Sequence, residues 1–176
     1  MKPGGFQKLL ELDGRATGQL SIAEQPGFLR SISIFFAHSG DSWFWLVGLI
    51  VLWWLGTDAW KDRAITMIFG IALTALVVFI IKLIVRRRRP EGEWGKFYRK
   101  TDPHSFPSGH AARAAMLAAV ALGMGPPWFG LVILLWAPLV ILARVAMGVH
   151  YLSDVLVGSM LGMLMGLVVL TIPLPI

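Results

Sequence analysis

Long apolar runs constrain this chain more than any other feature. Residues 64–85, 107–123, 128–147 and 155–172 each approach or meet the ~20 residues that a helix needs to cross the hydrocarbon of a bilayer. Within lipid every backbone N–H and C=O must be bonded internally, so such runs become α-helices. A fifth run, residues 43–55, is shorter, and Ser39 or Asp41 is placed to cap a helix that begins before it. Composition agrees: 56% of the 176 residues are hydrophobic and only 15% are charged, with a mean hydropathy of +0.70, too apolar for an ordinary soluble domain. The expected fold is all-α, a polytopic transmembrane helical bundle of about five spanning helices. An odd number of spans puts the chain termini on opposite sides.

Residues 1–40 have a different character. The segments 6–12 and 28–36 carry apolar residues interrupted by Lys8, Glu11 and Arg30, with Asp13 just beyond the first, the pattern of amphipathic helices lying on a membrane surface or packed on the bundle. Pro26-Gly27 and Ser39-Gly40 mark turns between elements. The chain therefore divides into an amphipathic lead-in, 1–40, and a transmembrane core, 41–176, forming a single domain. The first two dozen residues alternate apolar with charged positions and lack the continuous hydrophobic stretch of a signal peptide.

The net charge of +6 sits beside apolar spans, where anionic lipid headgroups are a nearer partner than nucleic acid. With no cysteine in the chain, thiol nucleophiles, disulfides and thiolate metal sites are excluded.

Three polar clusters stand at the ends of the apolar runs: Lys82 with Arg89-Pro90, then Pro107-Ser108-Gly109-His110, then Arg144 with His150 and Asp154. Ionisable groups at such positions are costly and point to function. Alternating helix direction brings the end of the second span, the start of the third, the end of the fourth and the start of the fifth to one face. All three clusters therefore share a membrane boundary.

Each cluster suits phosphate chemistry. Lys82 and Arg89 are seven apart and share a helix face if the helix runs on to Pro90, offering a point charge and a planar fork to phosphate oxygens. Arg86, Arg87 and Arg88 serve equally well as headgroup anchors. Ser105 is placed to cap a helix whose first turn contains Pro107, leaving backbone N–H groups, the Ser108 hydroxyl and the open Gly109 position as an anion site, with His110 positioned to exchange a proton. His150 and Asp154, four apart on a helix, would pair so that the carboxylate fixes the imidazole tautomer. Taken singly, each cluster also reads as a cap or an interfacial anchor. Together they supply two histidines around a basic pocket, as a covalent phosphoryl transfer requires.

In order and internal spacing, Lys82-x6-Arg89-Pro90, Pro107-Ser108-Gly109-His110 and Arg144-x5-His150-x3-Asp154 resemble the three-part signature of the type 2 phosphatidic acid phosphatase superfamily of membrane lipid phosphatases. The resemblance implies that His150 attacks phosphorus to form a phosphohistidine, that Asp154 orients it, and that His110 protonates the leaving oxygen. It implies that Lys82, Arg89, Ser108, the Gly109 N–H and Arg144 hold the phosphoryl oxygens, and that neither metal nor other cofactor takes part. Two departures stand out. Ala143 occupies the position where the family often has serine, and the six spans common in bacterial members would here lose the first to the amphipathic lead-in.

A pocket at the ends of spans receives a headgroup while the tail stays in lipid, so the expected substrate is a lipid phosphate. Polyprenyl pyrophosphate ranks first, then phosphatidic acid or phosphatidylglycerol phosphate, then a lipid A phosphate. The 86–106 loop, with Glu91, Trp94, Phe97, Tyr98, Arg99 and Lys100, is placed to gate the pocket. Counting cations puts this face in the cytoplasm, whereas the resemblance implies the extracytoplasmic face of a bacterial or archaeal cell membrane. Other classes to be tested against are a small anion transporter, which predicts flux without phosphate release, and a non-catalytic lipid-binding scaffold, which tolerates loss of His150.

Overall fold

The computed structural model describes residues 5–92, 94 and 96–173, without the side chains of Phe6, Phe97 and Tyr98. Among the described residues it contains eight helices: α1 Gly5–Leu20, α2 Phe28–Ser39, α3 Ser42–Leu55, α4 Asp58–Val85, α5 Lys96–Thr101, α6 Gly109–Met124, α7 Pro127–Ala146 and α8 Leu152–Leu170. The all-α membrane fold expected from the apolar runs is the fold observed. α4, α7 and α8 are each long and apolar enough to cross a membrane, whereas α6, with 16 residues, is apolar but shorter.

α2 is bent by 57° against α3, and only as a pair do they have the length and hydropathy of a span. Gly40 and Asp41 form the break. α1 docks against the start of α8 through side chains that cap it: Leu152 N–H donates to Thr17 Oγ1 (3.0 Å) and Ser153 N–H to Asp13 Oδ1 (3.0 Å). The unpaired donors at a helix N-terminus are thus met by another helix.

α6 is the centre of the bundle. A run from Ala111 to Ala121 is buried almost without interruption, mostly alanine, because α8 approaches it through Gly158, Gly162 and Gly166, spaced every four residues on one face. A Cβ at Gly162 would lie 1.9 Å from the Ala112 carbonyl oxygen, and one at Gly158 2.6 Å from that of Ser108. Small residues permit this approach where lipid gives helices no hydrophobic reason to associate. The large side chains turn outward instead: Leu83, Ile84, Leu135, Leu142, Met160 and Leu164 are exposed on the bundle surface. Close packing of α6 on α8 fixes the polar ends of both helices relative to each other.

Candidate active site

The three clusters meet. Lys82, Arg89, Gly109, His110, Arg144 and His150 line one cavity of about 320 Å³, together with Asp102 and Arg113, and its wall continues along α4 past Val78 and Thr74 to Ile71. Arg144 is fully buried, and Lys82, Arg89, His150 and Asp154 are each under a tenth exposed. Buried cations at this density are tolerated only with anionic or dipolar partners close by.

The first cluster reaches the cavity by a route different from the one expected. The α4 helix ends at Val85, and Arg86 takes the left-handed conformation (φ 50°) at its C-cap. Lys82 is therefore helical and Arg89 is not, yet both converge on the Asp102 carboxylate: Lys82 Nζ pairs with Oδ2 and Arg89 Nη2 donates to the same oxygen at 2.7 Å. Arg89 Nε also donates to the Asp102 carbonyl (2.7 Å).

In the second cluster the cap belongs to Ser108. Its Oγ accepts from Ala111 N–H (3.4 Å), α6 starts at Gly109, and Pro107 precedes the helix. The Ser108 hydroxyl is thus fully buried as a helix cap and does not point outward. Ser105 closes the loop: its N–H donates to the Arg87 carbonyl (2.8 Å) and its Oγ to that of Arg88 (3.2 Å). A lone bridge between Arg88 and His104 reinforces the closure. Within the loop, Arg99 donates to the Pro90 carbonyl (3.0 Å), and Trp94 packs with Ala23, Ala37 and Met147. The Phe97 and Tyr98 side chains assigned to the gate lie outside the described residues.

In the third cluster His150 precedes α8 rather than lying on it, with Asp154 in the first turn. Nδ1 faces Asp154 Oδ2 at 3.5 Å, and Nε2 stands 3.0 Å from Arg89 Nη1. A guanidinium only donates, so Nε2 must be the unprotonated nitrogen, with the proton on Nδ1 facing the carboxylate. An imidazole in this tautomer keeps the Nε2 lone pair available for bonding. Burial, and after it the Arg89, Arg144 and Lys82 cations, hold the His150 pKa well below its ordinary value.

His150 in the free protein stays neutral as pH falls through about 6.5, where a solvated histidine takes up its proton. The unfolded chain then binds more protons than the folded one, so stability declines as pH drops below that value. The ¹⁵N shifts of His150, identified by their loss in His150→Gln, test the assignment. A neutral-to-charged transition near pH 6.5 contradicts it.

Four residues of the site fall outside the expected set. Arg87, open to a headgroup role in the sequence, instead holds Asp154 Oδ1 (2.8 Å) and Asp13 Oδ2 (2.6 Å) and stacks on the Tyr151 ring with Cζ 3.9 Å from its centre. Asp13, on α1, reaches the third cluster only through tertiary packing. Asp102 has no marker beyond its place in a basic loop. Arg113 lies one turn beyond His110, a spacing that could have flagged it as sharing the same face.

Known proteins resemble this chain in sequence and in fold. The family described as the PAP2 superfamily matches residues 63–175. The decaprenylphosphoryl-5-phosphoribose phosphatase of Mycobacterium tuberculosis is 33% identical over 161 residues, covering 86% of this chain and 84% of its own. The undecaprenyl-diphosphatase of Sulfolobus acidocaldarius is 27% identical over 142 residues, covering 78% and 68%. Among solved structures, the PAP2-type phosphatidylglycerolphosphate phosphatase from Bacillus subtilis shares the fold with a TM-score of 0.75 at 24% identity, over 92% of this chain and 84% of that one.

Proposed function

Because this integral membrane chain belongs to the PAP2 superfamily, we propose that it is a lipid phosphate phosphatase that works through a phosphohistidine on His150, without a metal ion. The observation that carries the reading is the cavity itself. Two histidines, with Lys82, Arg89, Arg113 and Arg144, face one space at the end of the bundle.

The chemistry follows from those groups. Lys82, Arg89 and Arg144 hold the phosphoryl oxygens and stabilise the charge that builds on them in the transition state. An arriving phosphoryl group competes with Asp102 for the first two of these. His150 Nε2 bonds to phosphorus as the bond to the leaving oxygen breaks, and that oxygen takes the electron pair together with a proton from His110. Asp154, itself held by Arg87 and by Tyr151 N–H (2.9 Å), faces the Nδ1–H of the charged phosphoimidazole. Water then attacks phosphorus, gives its proton to His110, and returns His150 as phosphate leaves. Gly109 contributes its backbone at the cavity wall, whereas Ser108 acts through the cap of α6.

Both named relatives act on molecules with a polyprenyl chain, which supports placing a polyprenyl phosphate or pyrophosphate first, phosphatidic acid or phosphatidylglycerol phosphate next, and a lipid A phosphate after them. The apolar wall along α4 provides room for the start of a tail. We place the active face on the extracytoplasmic side. The cation excess of its loop argues less against this than a count suggests, since Arg87, Arg89 and Arg99 are bonded to groups within the protein.

Purified protein in chelator, given a panel of these lipids, is expected to release inorganic phosphate, fastest from a polyprenyl substrate. No release with any of them refutes the phosphatase reading. Release only on adding a divalent ion refutes metal independence alone.

A further inference from the structure

We propose that Asp41 is a positioning residue for His110, forming a second carboxylate–imidazole pair beside that of His150 and Asp154. The inference rests on the reading of His110 as the acid for the leaving oxygen. Asp41 lies ahead of the family match, at the break between α2 and α3.

The backbone places Asp41 as the N-cap of α3, extended at φ −67° and ψ 142°, where an aspartate ordinarily accepts from its own helix. It makes no such bond. Instead Oδ1 lies 2.7 Å from His110 Nε2, and Oδ2 lies 3.2 Å from Nδ1 of the half-exposed His38. A cap worth about 1 kcal/mol to α3 is given up for a contact with His110, which lines the cavity.

The surrounding structure holds the break in place. Trp45 Nε1 donates to the Ser39 carbonyl (3.0 Å), Trp136 Nε1 to Ser39 Oγ (2.9 Å), and Arg113 Nη1 to the Gly40 carbonyl. A Cβ at Gly40 would sit 2.6 Å from Val140 Cγ1 and 3.3 Å from His110 Cδ2. Glycine is what lets the backbone come this close to the imidazole.

A carboxylate only accepts, so Nε2 of His110 carries a hydrogen and Nδ1 is the nitrogen that exchanges one. When the leaving oxygen departs from phosphorus it takes the proton from Nδ1, and the imidazole becomes neutral with its Nε2–H still on Asp41. When water attacks the phosphohistidine, Nδ1 accepts the proton back. Burial, and after it Arg144 and Arg113, oppose the charged imidazole, and Asp41 is the anion that favours it.

The test is a series of aryl and alkyl phosphates of graded leaving-group acidity, hydrolysed by the wild-type protein, Asp41→Asn, Asp41→Glu, His110→Asn and the double variant Asp41→Asn/His110→Asn. Asp41→Asn is expected to lower kcat about 10- to 100-fold for alkyl leaving groups while sparing 4-nitrophenyl phosphate, whose leaving group needs no proton. KM should move little, the double variant should be no slower than His110→Asn, and Asp41→Glu should recover part of the loss. Equal loss across the series, or none, overturns the role of Asp41 and leaves the phosphatase reading intact. Wild-type protein that hydrolyses nothing overturns both. Independently of whether the variants fold, ¹⁵N shifts of wild-type His110 should show a protonated Nε2, and a bare Nε2 overturns the assignment.

Discussion

His150→Ala is expected to reduce turnover by at least about 10³-fold while lipid phosphate binding stays measurable. The size follows from the role proposed for it: removing the nucleophile of a catalytic unit costs about as much as removing the whole unit. Binding survives because Lys82, Arg89 and Arg144 remain on the cavity wall. Phosphate release should be compared with equilibrium binding of a non-hydrolysable lipid phosphonate. Turnover near the wild-type level removes His150 as nucleophile. Loss of binding together with turnover shows instead that the histidine holds the cavity open. Acid quench of the wild-type enzyme with ³²P-labelled substrate should trap label on the protein, and His150→Ala should trap none.

Gly162→Ala should cost about 3 kcal/mol of stability, the upper end for overpacking, although it adds a single methyl group. Its Cβ would stand 1.9 Å from the Ala112 carbonyl oxygen and 2.8 Å from the Ala112 Cα. These are backbone atoms that cannot rotate aside, so α6 and α8 must separate. Separation also strains the bond from Ser108 N–H to the Asp154 carbonyl (3.0 Å) that joins the second and third clusters. Thermal unfolding in detergent should show the loss, accompanied by lower turnover. Gly14→Ala is the control, because a Cβ there meets nothing within 4 Å. Equal stability of the two variants contradicts the packing described for α8.

The Gly158, Gly162, Gly166 repeat was open to reading in the sequence as a small-residue stripe on a span, and it explains why α6, an apolar helix of only 16 residues, is the most buried. What resembled a surface lead-in contributes α2 to a bent pair with α3, and the bend delivers Asp41 to His110. Periodicity could find the apolar character of both segments, but the bend depends on contacts made by Trp45, Trp136 and Arg113, which are remote from one another in the chain.

Residue order was enough for the membrane class, the all-α fold and the gathering of the three polar clusters at one end of the bundle. Runs near 20 apolar residues leave the backbone few other choices, and spans of alternating direction carry the three polar clusters to one face whatever the details of packing. Tertiary structure alone decided how those residues are supported. Ser108 rather than Ser105 caps α6, Arg87 turns inward to Asp13 and Asp154, and Asp102 bridges Lys82 and Arg89. The physical reason is that a buried charge takes as its partner whichever group the fold brings within a few ångströms. Chain spacing records such a neighbour only when both groups share a helix turn, and Asp41 and His110 do not.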